Sequence, residues 1–82
     1  MYKVKICGIR DAYNLQAAVE GGASYVGFVF FEKSRRNISI ELGQKLANEV
    51  PKNVLRVALM VNPSNKFILD ILGKVAIDML QL

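Results

Sequence analysis

The sequence predicts an α/β fold built from parallel βα units, and three observations support this prediction. Apolar runs of strand length alternate with segments whose apolar residues recur at helical spacing. The runs begin near residues 3, 25, 55 and 76, so successive starts differ by 22, 30 and 21 residues. Each interval accommodates one helix and two short loops, and helices between strands imply right-handed crossovers and a parallel sheet.

The four predicted strands cover residues 3–9, 25–31, 55–61 and 76–82. The second run, YVGFVFF, is almost continuously apolar, which is typical of a strand that is buried on both faces of a parallel sheet. In the first strand, side chains alternate between the two faces. Lys3, Lys5 and Cys7 therefore share one face, and Val4 and Ile6 share the other.

Polar caps and helix breakers delimit three predicted helices. Asp11 and Ser39 are the expected N-caps of the first two, because their side chains accept hydrogen bonds from early helical N–H groups. The first helix ends at residues 21–22, the second covers residues 40–50, and the third lies between the turn at 62–64 and residue 73.

Composition excludes several classes of protein. The chain has 82 residues, too few for two domains, and it is 52% hydrophobic, too apolar for a disordered tail. Its net charge of +4 is mild, and no aromatic platform accompanies the basic residues. No apolar run approaches the ~18 residues of a membrane span, and the first ten residues lack the core of a signal peptide. We expect a cytoplasmic protein that binds neither nucleic acid nor membranes.

One cysteine and the absence of histidine restrict the chemistry of this chain. They exclude an internal disulfide, a zinc finger and histidine-based catalysis. Gly8 is not followed by the further glycines of a dinucleotide-binding fingerprint. We expect neither a metal nor a cofactor.

The fourth predicted strand continues to the last residue, without a turn or a closing helix. A buried parallel strand needs neighbours on both sides, and a complete TIM barrel takes about 250 residues. We therefore expect residues 1–82 to be the N-terminal part of a single (βα)8-barrel domain, comprising about three βα units and a fourth strand. The open edges of such a sheet favour self-association.

Cys7 is the candidate catalytic residue. In a barrel, Lys5 and Cys7 would point inward from the first strand, with Cys7 nearest the C-terminal rim, where barrel enzymes place catalytic groups. Gly8 follows, and we expect it to let the substrate approach the backbone closely. A thiol at this rim can act as a base or a nucleophile. The alternative is that Cys7 is a small buried hydrophobic residue.

A basic loop, residues 33–39, would lie on the same rim. Its arginines can hold a carboxylate or phosphate in a bidentate fork, although a solvated basic loop is the alternative. Gln81 comes late in the fourth strand and can face the barrel interior. Asp78 comes early in that strand, and we expect it to have a structural role. Gly27, inside the second strand, indicates close packing rather than ligand approach.

Five segments, taken together and in order, resemble one family. They are KVKICGI at 3–9, GASYVGFVF at 22–30, SRRNIS at 34–39, RVALMVN at 56–62 and DMLQL at 78–82. The chain is similar to the phosphoribosylanthranilate isomerases of tryptophan biosynthesis. The resemblance implies a (βα)8 barrel that converts N-(5-phosphoribosyl)anthranilate to its 1-deoxyribulose 5-phosphate isomer by an Amadori rearrangement.

The resemblance also implies roles for single residues. Cys7 matches the general base, and Arg36 matches an arginine that positions the anthranilate moiety. Lys5 and Gln81 would line the same interior as substrate-binding residues. The family's general acid, an aspartate on a later strand, and its phosphate site have no counterpart in the 82 residues. We therefore expect the chain alone to be inactive. The alternative is a non-catalytic half-barrel module that self-associates or is complemented in trans.

Overall fold

A computed structural model describes residues 3–82, in which four strands alternate with three helices. The strands are β1 (Lys5–Cys7), β2 (Tyr25–Val29), β3 (Leu55–Leu59) and β4 (Met79–Gln81), and the helices are α1 (Ala12–Glu20), α2 (Ile40–Asn48) and α3 (Asn65–Lys74). Every predicted element is present. The predicted seven-residue strands become strands of three or five residues, because pairing ends where the chain turns into each loop.

The four strands form one parallel sheet in the order β1-β2-β3-β4. Cys7 pairs with Gly27, Gly27 with Val57, and Val57 with Met79, so these four residues lie in one row across the sheet. Each strand pairs with the next strand along the chain, which is the connectivity of a TIM-barrel wall. The prediction of a partial barrel with three βα units and a fourth strand is confirmed.

Side-chain caps fix the start of each helix. Asp11 Oδ1 accepts a hydrogen bond from the N–H of Asn14 at 2.7 Å, and Ser39 Oγ accepts one from Leu42 at 3.1 Å. Both N-caps were predicted. The third cap is Ser64, within the predicted turn at 62–64. Each cap satisfies an N–H group that has no partner inside its helix. None of the helices in residues 3–82 is long and apolar enough to cross a membrane.

The hydrophobic core lies between the helices and one face of the sheet. Val26, Phe28 and Ala58 project from that face and are fully buried. Val4, just before β1, and Ile6 in β1 lie on this face too, but they are 43% and 38% exposed. Within residues 3–82, the helices cover the central strands and leave this edge open. The opposite face, here called the inner face, carries Lys5, Cys7 and Gln81.

The amino ends of β3 and β4 are joined by an ion pair, here called the Arg56–Asp78 clamp. The Asp78 carboxylate accepts hydrogen bonds from Arg56 Nε at 3.0 Å, Nη2 at 3.2 Å and the backbone N–H at 2.8 Å. The backbone N–H of Asp78 donates to the Arg56 carbonyl at 2.9 Å. The side-chain hydrogen bond from Arg56 is the main reason that the pKa of Asp78 is lowered. Asp78 thus has the structural role that its position predicted.

Candidate active site

The inner face brings together three of the four predicted site residues. Lys5 and Cys7 project from β1, and Gln81 projects from β4 at the other end of the sheet order. Lys5 Nζ donates a hydrogen bond to Gln81 Oε1 at 2.5 Å, although the two residues are 76 positions apart in sequence. The curved sheet therefore lets a long lysine side chain span from the first strand to the fourth. The sequence placed both residues on this face but did not predict their contact.

Cys7 is the last residue of β1 and lies at the carboxyl edge of the sheet. Cys7 has a free thiol and is half-buried. Its side chain projects from the inner face, because Cys7 is in the row of Gly27 and Val57 and not in a row of the core residues Val26 and Phe28. The Cys7 sulfur lies 3.2 Å from the position that a Cβ atom on Gly27 would occupy. Close packing therefore explains Gly27, as the sequence predicted.

Arg36 reaches the same edge from the loop after β2. Its side chain crosses Gly8, the residue that follows Cys7: a Cβ atom on Gly8 would overlap Arg36 Cδ and would lie 3.1 Å from Arg36 Nε. The structure corrects the expected role of Gly8. The space above this glycine, which we expected to admit the substrate, contains the Arg36 side chain instead.

The loop between β2 and α2 is anchored at both ends by apolar side chains. Phe30 and Ile38 are each 4% exposed, and the Ile38 N–H donates to the Val29 carbonyl at 3.0 Å. The exposed middle of the loop, which includes Arg36, is thereby held against the end of the sheet.

Ser34 shapes that exposed middle through two consecutive turns. Its N–H donates to the Phe31 carbonyl at 3.0 Å, and its own carbonyl accepts from the Asn37 N–H at 3.2 Å. The Ser34 hydroxyl oxygen also accepts the backbone N–H of Arg36 at 3.1 Å. No role was predicted for Ser34, although a serine two residues before the arginine is a signal for this kind of turn.

Arg36, at the carboxyl edge, forms no ion pair within residues 3–82. In residues 3–82 the two ion pairs are the Arg56–Asp78 clamp and a bridge between Asp70 and Lys74, both away from this edge. Arg36 and Lys5 therefore have no carboxylate partner among the described residues. No group of three or more potential metal ligands occurs there either. A half-buried thiol, followed in sequence by a glycine on which an unpaired arginine packs, is an arrangement that could serve proton transfer next to a bound anion.

Comparison with known proteins identifies the family. The family model for N-(5'-phosphoribosyl)anthranilate isomerase matches residues 4–82. A curated relative from Rhodospirillum centenum with that name is 48% identical over 80 residues, which is 98% of this chain and 37% of the relative. The chain thus spans little more than a third of the length of this relative.

Solved structures agree with this match in fold and in sequence. A phosphoribosylanthranilate isomerase in complex with reduced 1-(o-carboxyphenylamino)-1-deoxyribulose 5-phosphate superposes with a TM-score of 0.95 at 43% identity, covering 100% of this chain and 42% of that one. A structure of mutually generated monomers of the dimeric phosphoribosylanthranilate isomerase from Thermotoga maritima superposes with a TM-score of 0.93 at 44% identity. This match covers 100% of this chain and 42% of that one. The chain belongs to the phosphoribosylanthranilate isomerase family.

Proposed function

We propose that this chain supplies the proton-abstracting part of a phosphoribosylanthranilate isomerase active site. The observation that carries the proposal is that the Arg36 side chain packs on Gly8, the residue that follows Cys7 at the carboxyl end of β1. A base and an anion-binding group in neighbouring positions suit two parts of the substrate: the C2 proton that must be removed and the anthranilate carboxylate that must be held.

Cys7 is proposed as the general base. In an Amadori rearrangement, an acid first helps to open the furanose ring to a Schiff base. A base then removes the proton from C2 of the sugar, and the resulting enolamine tautomerises to the ketone. The position of Cys7 at the end of β1 directs its sulfur toward the mouth of the barrel, where it can accept that proton. The half-buried environment limits competition from water.

Arg36 is proposed to hold the anthranilate moiety. The ligand in the solved relative is a carboxyphenylamino sugar phosphate, so it offers both a carboxylate and an aromatic ring. A guanidinium group can bind the carboxylate through two hydrogen bonds or stack on the ring. In residues 3–82, Arg36 makes no ion pair that would have to be broken first.

Lys5 and Gln81 are proposed to form a polar floor beneath the substrate. Their mutual hydrogen bond fixes the orientation of the Gln81 amide, so that its NH₂ group remains available to a sugar hydroxyl. The floor joins β1 to β4. Lys5 precedes Cys7 by one inward-facing position, and Gln81 lies two residues nearer the carboxyl end than Met79, the residue of β4 in the row of Cys7.

The remaining machinery is proposed to come from a longer polypeptide. The general acid and the phosphate site that the family resemblance implies have no counterpart here, and residues 1–82 are proposed to form the N-terminal part of one (βα)8-barrel domain. We place the reaction in the cytoplasm, where reducing conditions keep the Cys7 thiol free.

A chimeric barrel tests the proposal. Residues 1–82 would replace the matching segment of the Rhodospirillum centenum relative, and turnover would be followed by the fluorescence decay of phosphoribosylanthranilate. We expect the chimera to be active and Cys7→Ser to lower kcat by at least about 10²-fold, the lower end of what general-base catalysis contributes. The isolated chain is expected to be inactive. Full activity of the Cys7→Ser chimera would exclude Cys7 as the base.

A second candidate function is self-association as a half-barrel module. Val4 just before β1, Ile6 on β1 and Leu80 on β4 are each more than a third exposed, and both strands lie at the edges of the sheet. Pairing of two copies would bury these side chains and satisfy the open edges. Sedimentation equilibrium at several concentrations distinguishes the outcomes: a concentration-dependent dimer supports pairing, and a monomer at every concentration contradicts it.

A further inference from the structure

Gly8 is held in a conformation that most residues avoid. Its φ angle is +79°, in the left-handed region that favours glycine. The N–H groups of Gly8 and Ile9 both donate to the Gly27 carbonyl, at 2.9 and 3.1 Å, and the Ile9 side chain is buried in the core. The backbone at Gly8 is therefore fixed to β2 and cannot retreat from a group that lies above it.

Arg36 lies directly above that fixed backbone. Besides Cδ and Nε, its Cγ atom lies 3.2 Å from the position of a Cβ on Gly8, so three consecutive atoms of the side chain follow the glycine surface. The Arg36 backbone is restrained in turn by its hydrogen bond to Ser34 Oγ. An arginine side chain loses considerable rotamer freedom when it is ordered, and close packing of its stem offsets part of that cost.

We propose that Gly8 is a positioning residue for Arg36. The missing Cβ leaves a channel through which the arginine stem passes, and this channel directs the guanidinium toward the space beside the Cys7 sulfur. A side chain at position 8 would push the stem away and remove positive charge from the thiol. The proposal deepens the proposed function, on which it rests for the assignment of Arg36 to the substrate carboxylate, but the channel itself is testable without turnover.

The chain offers a matched control for the backbone strain. Gly22 has φ +91°, and a Cβ atom there would meet nothing within 4 Å. Gly22→Ala therefore carries the strain of alanine in the left-handed region without a clash, whereas Gly8→Ala carries both. Comparison of the two variants isolates the contribution of Arg36.

Alkylation of Cys7, the only cysteine in the chain, gives the readout. The rate with iodoacetate, an anion, is divided by the rate with neutral iodoacetamide, so the ratio reports positive charge near the sulfur. In the 82-residue chain, Arg36→Ala and Gly8→Ala should each lower this ratio about three-fold, the size expected for one nearby charge in a solvent-exposed setting. The double variant should lower it no further. Gly22→Ala should leave it unchanged.

Thermal unfolding provides the second arm. Gly8→Ala should lower Tm by about twice the ~6 °C expected for Gly22→Ala, and in the Arg36→Ala background it should cost no more than Gly22→Ala does. If Gly8→Ala does not fold, recovery of folding in the double variant supports the proposal, and failure to recover contradicts it.

Three alkylation outcomes would overturn the proposal. They are a ratio that does not respond to Arg36→Ala, a ratio that does not respond to Gly8→Ala in a folded chain, and effects of the two substitutions that simply add. Failure of the proposed function would give a different result. If the chimera is inactive but the effects of Gly8→Ala and Arg36→Ala on the alkylation ratio remain non-additive, the isomerase proposal is contradicted and the channel proposal stands.

Discussion

The two ends of the sheet use charged residues in opposite ways. At the amino end, Arg56 and Asp78 saturate each other through three hydrogen bonds to the carboxylate, and their side chains are 27% and 28% exposed. At the carboxyl end, Arg36 has no carboxylate partner within residues 3–82. At the amino end, the charges of Arg56 and Asp78 hold two strands together. At the carboxyl end, the charge of Arg36 remains available to a ligand.

The difference between the two sheet ends explains why we assign a structural role to one arginine and a ligand-binding role to another. Arg56 and Arg36 are both arginines near strand ends, but only the first is neutralised by the fold. A barrel enzyme binds its substrate at the carboxyl edge of the sheet. A stabilising ion pair at the amino edge therefore does not interfere with binding, and an unpaired arginine at the carboxyl edge can bind an anion. Substitutions at the two ends should accordingly affect different quantities, stability at one and substrate turnover at the other.

Among the substitutions that compare the two ends of the sheet, the largest effect is expected at Arg36. In the chimeric barrel, Arg36→Met should lower kcat/KM about 50-fold, because a charged hydrogen bond to a carboxylate contributes about 1.5–3 kcal/mol. The adjacent Arg35→Met is the matched control, and it should stay within about two-fold of the parent. Steady-state kinetics with phosphoribosylanthranilate measures both. Equal losses in the two variants would mean that the basic loop acts only through its overall charge.

Gly27→Ala is expected to have the next largest effect. A Cβ at this position would lie 2.7 Å from Leu59 Cδ1 and 3.2 Å from the Cys7 sulfur, so both side chains must shift. Overpacking of this kind costs about 2 kcal/mol in the free energy of unfolding. Gly73→Ala is the control, since a Cβ there meets nothing within 4 Å and alanine favours the helix. Urea titrations that show the same stability for both variants would contradict the packing at Cys7.

Asp78→Asn should lower stability by about 1 kcal/mol, because it removes the charge from a partly shielded, bidentate pair. Asp70→Asn breaks the more exposed bridge to Lys74, whose side chains are 42% and 58% exposed, and should cost at most about 0.4 kcal/mol. Chemical denaturation of the 82-residue chain gives both values. Equal losses of unfolding free energy in Asp78→Asn and Asp70→Asn would contradict a stabilising role for the clamp beyond that of an exposed helix-surface bridge.

Acid should weaken the amino end selectively. The pKa of Asp78 is lowered in the folded chain, so its stabilising contribution is present above the unfolded value of about 3.9 and is lost as the pH falls through the lower folded value. The stability gap between the parent and Asp78→Asn should stay constant from pH 7 to about 5 and shrink below about pH 4.

The Lys5–Gln81 hydrogen bond contains no carboxylate, so it provides the control for the acid experiment. The gap between the parent and Gln81→Ala should not change over the same pH range. Urea midpoints measured at each pH separate the two behaviours. A gap for Asp78→Asn that persists at pH 2 would show that hydrogen-bond geometry, rather than charge, accounts for the clamp.

Much of the fold was predictable because local signals agree with the tertiary structure. The N-caps Asp11 and Ser39 and the apolar runs of the strands are short-range features, and each produced the expected element. Strand periodicity also placed Lys5 and Cys7 on the correct face. The exposure of Val4 and Ile6 was not predictable from their own sequence, since it depends on which elements cover the edge strand.

The positions of the candidate site residues were predictable, but their contacts were not. Family resemblance selected Cys7 and Arg36, and strand alternation made their shared edge plausible. The path of the arginine across Gly8 depends on the turn shaped by Ser34, for which the sequence holds a signal, and on the left-handed conformation of Gly8, which the sequence pattern did not indicate. The partner of Asp78 was likewise hidden, because Arg56 lies 22 residues away in sequence.

A crystal structure of the chimeric barrel with the reduced product ligand tests the central claim most directly. The decisive quantities are the distance from the Cys7 sulfur to C2 of the sugar and the distance from the Arg36 guanidinium to the carboxylate. We predict about 3–3.5 Å for the first, a near-attack separation, and about 2.7–3.2 Å for the second, a hydrogen bond. A ligand whose C2 lies beyond the reach of the thiol, or an Arg36 that points into solvent, would contradict the account.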